Sequence, residues 1–289
     1  MTKHTISPED TREMQLKGLE MTEFFADFCK EHGLLWFFCG GCCIGTIRNG
    51  GFIPWDDDVD VFMPRPDYEK LKELWKDTDE YSIQYTTRDY LTENPFLTIC
   101  ANNTTFIKTY QKDLDINHGI TLDVLPLDGC PQGIKRKFQK MWALMYSLFL
   151  VGKAPTHHGK LVGFIGKAGL FLIKPKSWRY RMWRMCERRM TKYPIEECEY
   201  ITELCSGPGY MQNEYPKHCF DHAVYKEFEG RMMPLPADYD TYLRMAFGNY
   251  MELPPEEKRV AHHDYEMLDM KNSYRIYRGK YYYTRGKDV

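Results

Sequence analysis

The chain has 289 residues, of which 43% are hydrophobic and 28% are charged, and its formal net charge is −2. These values are ordinary for a soluble protein with ample material for a hydrophobic core. No apolar run reaches the roughly 18 to 20 residues of a transmembrane helix. The N-terminus contains no apolar stretch of the secretory type, so a cytoplasmic location is predicted, where the ten cysteines stay reduced.

The first half of the chain alternates predicted helices and strands. Ser7 has the character of a helix N-cap, and Gly33 ends the helix that follows. A short strand is then predicted over 34–38, a short helix over 43–48 and a buried strand over 59–63. A further helix is predicted over 65–75, and further strands near 81–86, 96–100, 104–110 and 120–125. These elements predict an α+β fold with a mixed sheet and flanking helices.

An acidic run opens the predicted strand over 59–63. Asp58 and Asp60 share one face of that strand, because side chains alternate along it. Two carboxylates about 7 Å apart on a partly buried strand raise each other's pKa unless a cation lies between them. The run therefore favours a divalent metal site, whereas a solvated turn is the alternative for the aspartates taken alone.

A glycine pair, Gly40 and Gly41, comes directly after the first predicted strand. Glycine lets backbone N–H groups approach a phosphate, and the N-terminus of the following short helix favours an anion. The pair is a weak signal alone. The order strand, glycine pair, short helix and strand with Asp-x-Asp is much more specific for phosphate chemistry.

This sequence pattern resembles the LicD family of phosphotransferases and the polymerase-β-like nucleotidyltransferase fold. The resemblance is carried by Gly40–Arg48, by Gly51–Asp60 and by a second block, His118–Gly129. Weaker similarity follows in a C-terminal block that includes Phe228-Glu229-Gly230 and Gly248–Met251. One departure is Cys42, where related nucleotidyltransferases often have Ser or Thr after the glycine pair.

The resemblance implies a set of site residues. Asp58, Asp60 and Asp123 are the expected catalytic residues and the expected ligands of Mg²⁺ or Mn²⁺, with Asp123 as third ligand or general base. The expected substrate-binding residues are Gly40, Gly41, Arg48, Trp55 and His118. For His118 a structural role is the favoured alternative, and for Trp55 the alternative is core packing.

The resemblance also implies a reaction. The expected activity is metal-dependent transfer of phosphocholine, or of another phospho-alcohol, from CDP-choline or a related CDP-activated donor. The expected acceptor is a sugar hydroxyl of a surface glycan, such as a teichoic acid or lipopolysaccharide, or of its lipid-linked precursor. The alternatives are a nucleotidyltransferase that moves NMP from an NTP to a small-molecule hydroxyl, and a non-catalytic scaffold. No nucleic-acid partner is expected.

A strongly basic block follows the second motif. Residues 129–186 hold 12 of the 39 basic residues and no acidic residue. This pattern fits a helical insertion, and two readings stay open: a surface for an anionic membrane, or apolar faces packed on the catalytic domain. In the membrane reading, the protein is peripheral on the inner face of the membrane, and the expected contacts are Lys135, Arg136, Lys137 and Lys140. The predicted domains are a catalytic core over 1–128, the basic insertion over 129–190 and a C-terminal part over 191–289.

Overall fold

Helices and strands are mixed through the described residues, 6–151, 176–261 and 263–285, of a computed structural model. The described helices are α1 (Pro8–His32), α2 (Gly40–Asn49), α3 (Arg65–Leu74), α4 (Ile134–Val151), α5 (Lys176–Met190) and α6 (Tyr239–Phe247). The described strands are β1 (Phe37–Phe38), β2 (Val59–Pro64), β3 (Tyr81–Gln84), β4 (Leu97–Ala101), β5 (Thr105–Lys108), β6 (Thr121–Cys130), β7 (Tyr200–Glu203), β8 (Tyr215–Pro216), β9 (Ala223–Phe228), β10 (Arg231–Pro236) and β11 (Tyr265–Asp269). The predicted α+β fold is confirmed.

The chain divides into two units. The first comprises Met1–Gln84, Leu97–Val124 and Cys219–Val289, and the second comprises Tyr85–Phe96 and Leu125–His218. The predicted domain boundaries at residues 128 and 190 remain a prediction.

The sheet of the first unit has the strand order β1-β2-β6-β4-β3. β2 and β6 are hydrogen-bonded neighbours, and Asp123 on β6 pairs in register with Thr98 on β4. Two further antiparallel pairs, β9 with β10 and β5 with β11, belong to the same unit. The sheet therefore places Asp60 and Asp123 on adjacent strands.

The second unit has its own hydrophobic core. α4 and α5 bury Ala143, Tyr146, Trp183 and Cys186 in one cluster. The rings of Tyr146 and Trp183 stack with their centroids 5.7 Å apart. The second half of β6 pairs with β7 in this unit, and β7 pairs with β8.

One predicted membrane contact is wrong, because Arg136 is buried inside the second unit. Its guanidinium donates to Thr202 Oγ1 at 2.9 Å, to Met211 O at 2.6 Å and to Glu214 Oε1 at 3.1 Å. A buried charge has to be paired and hydrogen-bonded, and these bonds tie α4 to β7 and the loop after it. Lys140 also has partners, since its Nζ donates to Gln212 Oε1 at 3.0 Å.

In the described part of the chain, no helix combines the length and the apolar character needed to cross a membrane. The predicted apolar run over 141–151 forms the second half of α4. The predicted run over 161–173 lies outside the described residues.

Several element boundaries differ from prediction, among them the two beside the glycine pair. The first strand is only Phe37–Phe38, and α2 begins at Gly40 rather than at residue 43. The predicted cap of α1 is confirmed: the Ser7 hydroxyl oxygen accepts a hydrogen bond from the Asp10 N–H at 3.0 Å. Gly33 ends α1 in the left-handed conformation, with φ of 62°.

α1 lies very close to the strand that carries the acidic run. A Cβ added at Gly18 would lie 2.7 Å from Val59 Cγ2. That separation is too short for two carbon atoms, so glycine is required for this approach of helix to strand.

We expect Gly18→Ala to lower the free energy of unfolding by about 1 to 3 kcal/mol, the usual cost of overpacking a core. Helix propensity alone predicts the opposite sign, a gain of about 1 kcal/mol. Urea unfolding of Gly18→Ala, Val59→Ala and the double variant measures the coupling between the two positions. The double variant should lose less than the sum of the single losses, and strict additivity would contradict the close approach.

Candidate active site

The loop that leads into the acidic run is fixed from α1 by a buried glutamine. Gln15 Nε2 donates to Ile53 O at 3.0 Å and to Asp56 O at 2.9 Å. These two bonds satisfy carbonyl groups that the turn leaves outside regular structure. The backbone of the acidic run is therefore held in place before β2 begins.

A glutamate of the C-terminal block fixes the same loop from the other direction. Glu229 accepts hydrogen bonds from Arg12 at 2.9 and 2.8 Å and from the Phe52 N–H at 3.3 Å. A Cβ added at Gly51 would lie 2.5 Å from Glu229 Oε1, so the loop passes directly over this carboxylate. The Phe-Glu-Gly block thus holds the loop before the acidic run.

The glycine pair lies in the first turn of α2, directly against the carboxylates. A Cβ added at Gly41 would lie 1.9 Å from Asp56 Oδ2, and one added at Gly40 would lie 3.9 Å from Asp60 Oδ2. The Gly40 N–H donates to the Tyr242 hydroxyl at 3.0 Å. Gly41 is therefore needed for the approach of Asp56, independently of any anion at the N-terminus of α2.

Carboxylates of β2 and the preceding loop raise one another's pKa. Burial raises the pKa of Asp60 well above its usual range, and the negative charges of Asp58, Asp123 and Asp56 raise it further. Burial likewise raises the pKa of Asp58, although the neighbouring His263 acts in the opposite direction. Asp58, Asp60 and Asp123, the three predicted metal ligands, therefore share one electrostatic site.

Asp56 belongs to the same cluster. Burial is the main cause of its raised pKa, followed by the charges of Asp58 and Asp57 and by a hydrogen bond with the Asp58 carboxyl group. A hydrogen bond between two carboxyl groups needs a proton on one of them. This part of the site therefore favours a bound proton, or a cation in its place.

One buried carboxylate oxygen has no hydrogen-bond partner within the described structure: Asp123 Oδ1. Buried carboxylate oxygens are almost always hydrogen-bonded or coordinate a metal. Together with the raised pKa of Asp58 and Asp60, the orphaned oxygen shows that this donor set fits a hard divalent cation.

Sequence reasoning missed Lys108, the buried cation of the site. Burial lowers the pKa of Lys108, but Tyr110 and the carboxylates of Asp123, Asp58 and Asp57 leave it raised above the ordinary value. The available signal was a lysine at the end of β5, a strand whose four residues are all buried. Lys108 neutralises part of the charge that the aspartates bring together.

Sequence reasoning also missed His263, which comes from the C-terminal part of the chain. Its backbone N–H donates to Asp57 Oδ2 at 3.1 Å, and its ring Nδ1 lies 3.2 Å from the same oxygen. Ligand atoms of Asp57, Asp58 and His263 all lie within 4.8 Å of one another, a spacing that would suit a metal ion. No spacing in the sequence links residue 263 to residue 57, so only the fold reveals this group.

The predicted substrate-binding residues Arg48 and Trp55 share a neighbour, Arg259. Burial and the charge of Arg259 lower the pKa of Arg48, while Asp56 opposes that shift. The Arg259 guanidinium carbon lies 5.8 Å from the centre of the Trp55 ring. Arg48 Nη1 also donates to Tyr250 O at 3.0 Å, in the C-terminal block. Two cations and a half-buried indole thus lie beside the acidic run.

His118 has the environment of a structural residue. A ring nitrogen lies 3.1 Å from Leu114 O, and the ring centre lies 4.3 Å from that of Tyr282. Burial lowers the pKa of His118 to about 4, so the imidazole is neutral at pH 7. These contacts favour the structural alternative for His118.

The comparisons with known proteins agree with this geometry. Residues 33–131 match the family model described as LicD/FKTN/FKRP, nucleotidyltransferase domain, and the match includes both acidic strands. Over 267 residues the chain is 31% identical to the lipopolysaccharide cholinephosphotransferase LicD of Haemophilus influenzae. The aligned region covers 87% of this chain and 95% of the Haemophilus protein. The chain belongs to the LicD family. It is accordingly a LicD-like phosphotransferase, an enzyme that transfers a substituted phosphate group.

A second similarity is limited to part of the chain. The chain is 26% identical over 120 residues to mannosyltransferase regulator 4 of Saccharomyces cerevisiae. The aligned region covers 41% of this chain and 10% of the yeast protein. It is the similarity to the Haemophilus protein, which extends over nearly the whole length of both chains, that establishes the family.

We expect Asp60→Asn to stabilise the metal-free protein at pH 8, with a gain that shrinks as the pH falls towards about 4, the ordinary pKa of an aspartate. The pKa of Asp60 is raised in the folded state, so its contribution to the free energy of unfolding is full at low pH and is lost as the pH rises through the raised pKa. Asparagine does not ionise and escapes this loss. Urea unfolding in EDTA across this pH range measures the effect.

Asp79→Asn is the matched control for this experiment, because Asp79 is exposed and the change removes one negative charge outside the site. Its unfolding curve should follow that of the unmodified protein at every pH. If Asp60→Asn unfolded with the same pH dependence as the unmodified protein, ionisation of Asp60 would not destabilise the folded state.

Proposed function

We propose that this LicD-family enzyme transfers phosphocholine from CDP-choline to a sugar hydroxyl of lipopolysaccharide or a related surface glycan, with CMP as the other product. The observation that carries the proposal is the 31% identity to the Haemophilus lipopolysaccharide cholinephosphotransferase over 95% of its length. The site geometry supports it, because clustered carboxylates beside cations suit transfer from a charged pyrophosphate.

We assign Asp58 and Asp60 to a bound Mg²⁺ or Mn²⁺, and Asp123 either to the same ion or to the role of general base, with Asp57 and His263 as neighbouring groups. When bound, the metal supplies neutralisation of the pyrophosphate charge and stabilisation of the departing nucleotide. The buried Asp123 oxygen without a partner and the raised pKa of Asp58 and Asp60 support this assignment.

The chain's own cations have a second role in the proposal. Lys108 lies among the carboxylates, and Arg48 and Arg259 lie beside the acidic run. We assign these positive groups to the phosphates of the donor, together with the N-terminal turn of α2 at Gly41. They bind and orient the pyrophosphate so that the phosphorus next to choline faces the acceptor.

In the proposed reaction, the sugar hydroxyl oxygen forms a bond to the phosphorus of phosphocholine. The bond from that phosphorus to the bridging oxygen breaks, and CMP leaves with that oxygen. The hydroxyl proton passes to a site carboxylate, and Asp123 is our candidate because its Oδ1 has no hydrogen-bond partner in the described structure. Holding the hydroxyl and the donor in one orientation supplies much of the rate enhancement.

The decisive experiment separates this reaction from nucleotidyl transfer. The enzyme is incubated with Mg²⁺, a deacylated glycan acceptor and either CDP-choline or each of the four NTPs, and released CMP and pyrophosphate are measured. We expect acceptor-dependent CMP release with CDP-choline. Release of pyrophosphate from an NTP, without release of CMP from CDP-choline, would instead identify a nucleotidyltransferase.

We expect Asp58→Asn, Asp60→Asn and Asp123→Asn each to retain less than about a tenth of the CMP release, since losing one ligand or base typically costs 10²-fold or more. Asp79→Asn should keep full activity. Circular dichroism and melting curves check that the variants fold. A folded Asp60→Asn enzyme with near-normal turnover would contradict its assignment.

Trp55 is our candidate for the choline group, because a quaternary ammonium binds best on an aromatic face at about 0.5 to 2 kcal/mol per ring. Trp55→Leu is expected to raise the KM for CDP-choline by about 2- to 30-fold, the range that corresponds to that energy. The KM for CDP-glycerol, which carries no cation, should change much less. Equal increases for both donors would mean that Trp55 only packs against the loop.

A further inference from the structure

Helix α4 of the second unit exposes an apolar face. Ile134 is 68% exposed and Phe138 is 51% exposed, and Met141 and Leu144 are exposed as well. The opposite face carries Arg136, Gln139, Ala143, Tyr146 and Leu150, which are buried in the unit. α4 is thus buried on one side and presents large apolar side chains to solvent on the other.

The exposed side chains form one continuous stripe. At about 100° per residue, Ile134, Phe138 and Met141 lie within an arc of about 60° on the helix surface. Scattered single exposed apolar residues are normal, but a stripe of neighbours marks an interaction surface. Because it stands on a regular helix packed against its own core, the stripe has a fixed orientation within the second unit.

Cations border this stripe on both sides. Lys135 and Lys137 are exposed, and their positions on the helix place them at opposite edges of the arc. Arg189 from α5 adds a cation next to α4, since its guanidinium carbon lies 5.9 Å from the centre of the half-buried Trp142 ring. The surrounding sequence, 129–186, has no acidic residue. In the structure Glu197 and Glu199 share a pocket with Ile134 and Lys135, at the N-terminal end of the stripe.

We propose that the exposed face of α4 docks on an anionic membrane surface, with Ile134 and Phe138 inserted among the lipids and Lys135 and Lys137 at the headgroups. An apolar stripe edged by lysines, with an indole at its border, has the chemistry of a helix that lies in the plane of the membrane interface. Charge complementarity favours a lipid surface with negative headgroups over an apolar protein groove. The assignment does not depend on the phosphocholine donor or on the site carboxylates.

The test is sedimentation of the full chain with vesicles of phosphatidylcholine alone or mixed equally with phosphatidylglycerol. The unmodified protein is expected to sediment with the mixed vesicles and not with the neutral ones at about 0.1 M salt, and to be released near 1 M, where the Debye length falls to about 3 Å. Ile134→Gln/Phe138→Gln should weaken binding to the mixed vesicles by about tenfold or more. Lys135→Gln/Lys137→Gln should weaken it by about 25-fold, roughly fivefold for each cation.

Tyr225→Gln/Met232→Gln is the matched control, because these side chains are 59% and 61% exposed on the hairpin of β9 and β10 in the first unit. This pair should bind vesicles like the unmodified protein. If the Ile134/Phe138 variant does not fold, the lysine variant, which alters only exposed tips, still decides the question.

Equal binding to neutral and anionic vesicles, or no binding to either, would overturn the proposal. Unchanged vesicle binding in a folded Ile134→Gln/Phe138→Gln variant would also overturn it. If that variant instead became monomeric while the unmodified protein eluted as a dimer, with vesicle binding the same in both, the face would be a contact between two copies of the chain.

Discussion

Mutual repulsion among buried carboxylates is the constraint on which the first unit depends. The charges of Asp58, Asp123 and Asp56 oppose ionisation of Asp60, the charges of Asp58 and Asp57 oppose ionisation of Asp56, and burial removes the water that would screen them. Lys108 is buried among them as a counter-charge. Such a site gains most from a cation that the chain itself does not supply, and this is the physical basis of the proposed metal site.

A repelling cluster keeps its geometry only if the backbone around it is held firmly. Gln15 holds two carbonyl groups of the loop before Asp58, and Glu229 holds an amide of the same loop. Both come from parts of the sequence far from the acidic run. The close contact of Gly18 with Val59 fixes the strand itself against α1. Polar bonds and one tight apolar contact together resist the tendency of the carboxylates to separate.

The sequence predicted the elements whose signals are local. The cap of α1, the strand with Asp60, and the α+β class follow from capping chemistry, side-chain alternation and the order of elements. Lys108 and His263 escaped prediction because their importance comes from tertiary contacts with Asp57 and Asp58, which no local pattern encodes. The burial of Arg136 was not predicted for a related reason. A basic residue in a basic block is expected to be exposed, and only the fold shows its partners Thr202, Met211 and Glu214.

The pairing of β5 with β11 has a consequence for how the enzyme is made. The aspartates of the acidic run are made early, whereas β11 and His263, which complete the surroundings of Lys108 and Asp57, follow far later in the sequence. During synthesis the nascent protein therefore carries its acidic cluster before it has the strand that pairs with β5. A chain that terminates before residue 263 keeps every aspartate of the motif but lacks the imidazole and the β-ladder partner. Translation itself thus delays assembly of this group of residues until residues 263–269 have been made.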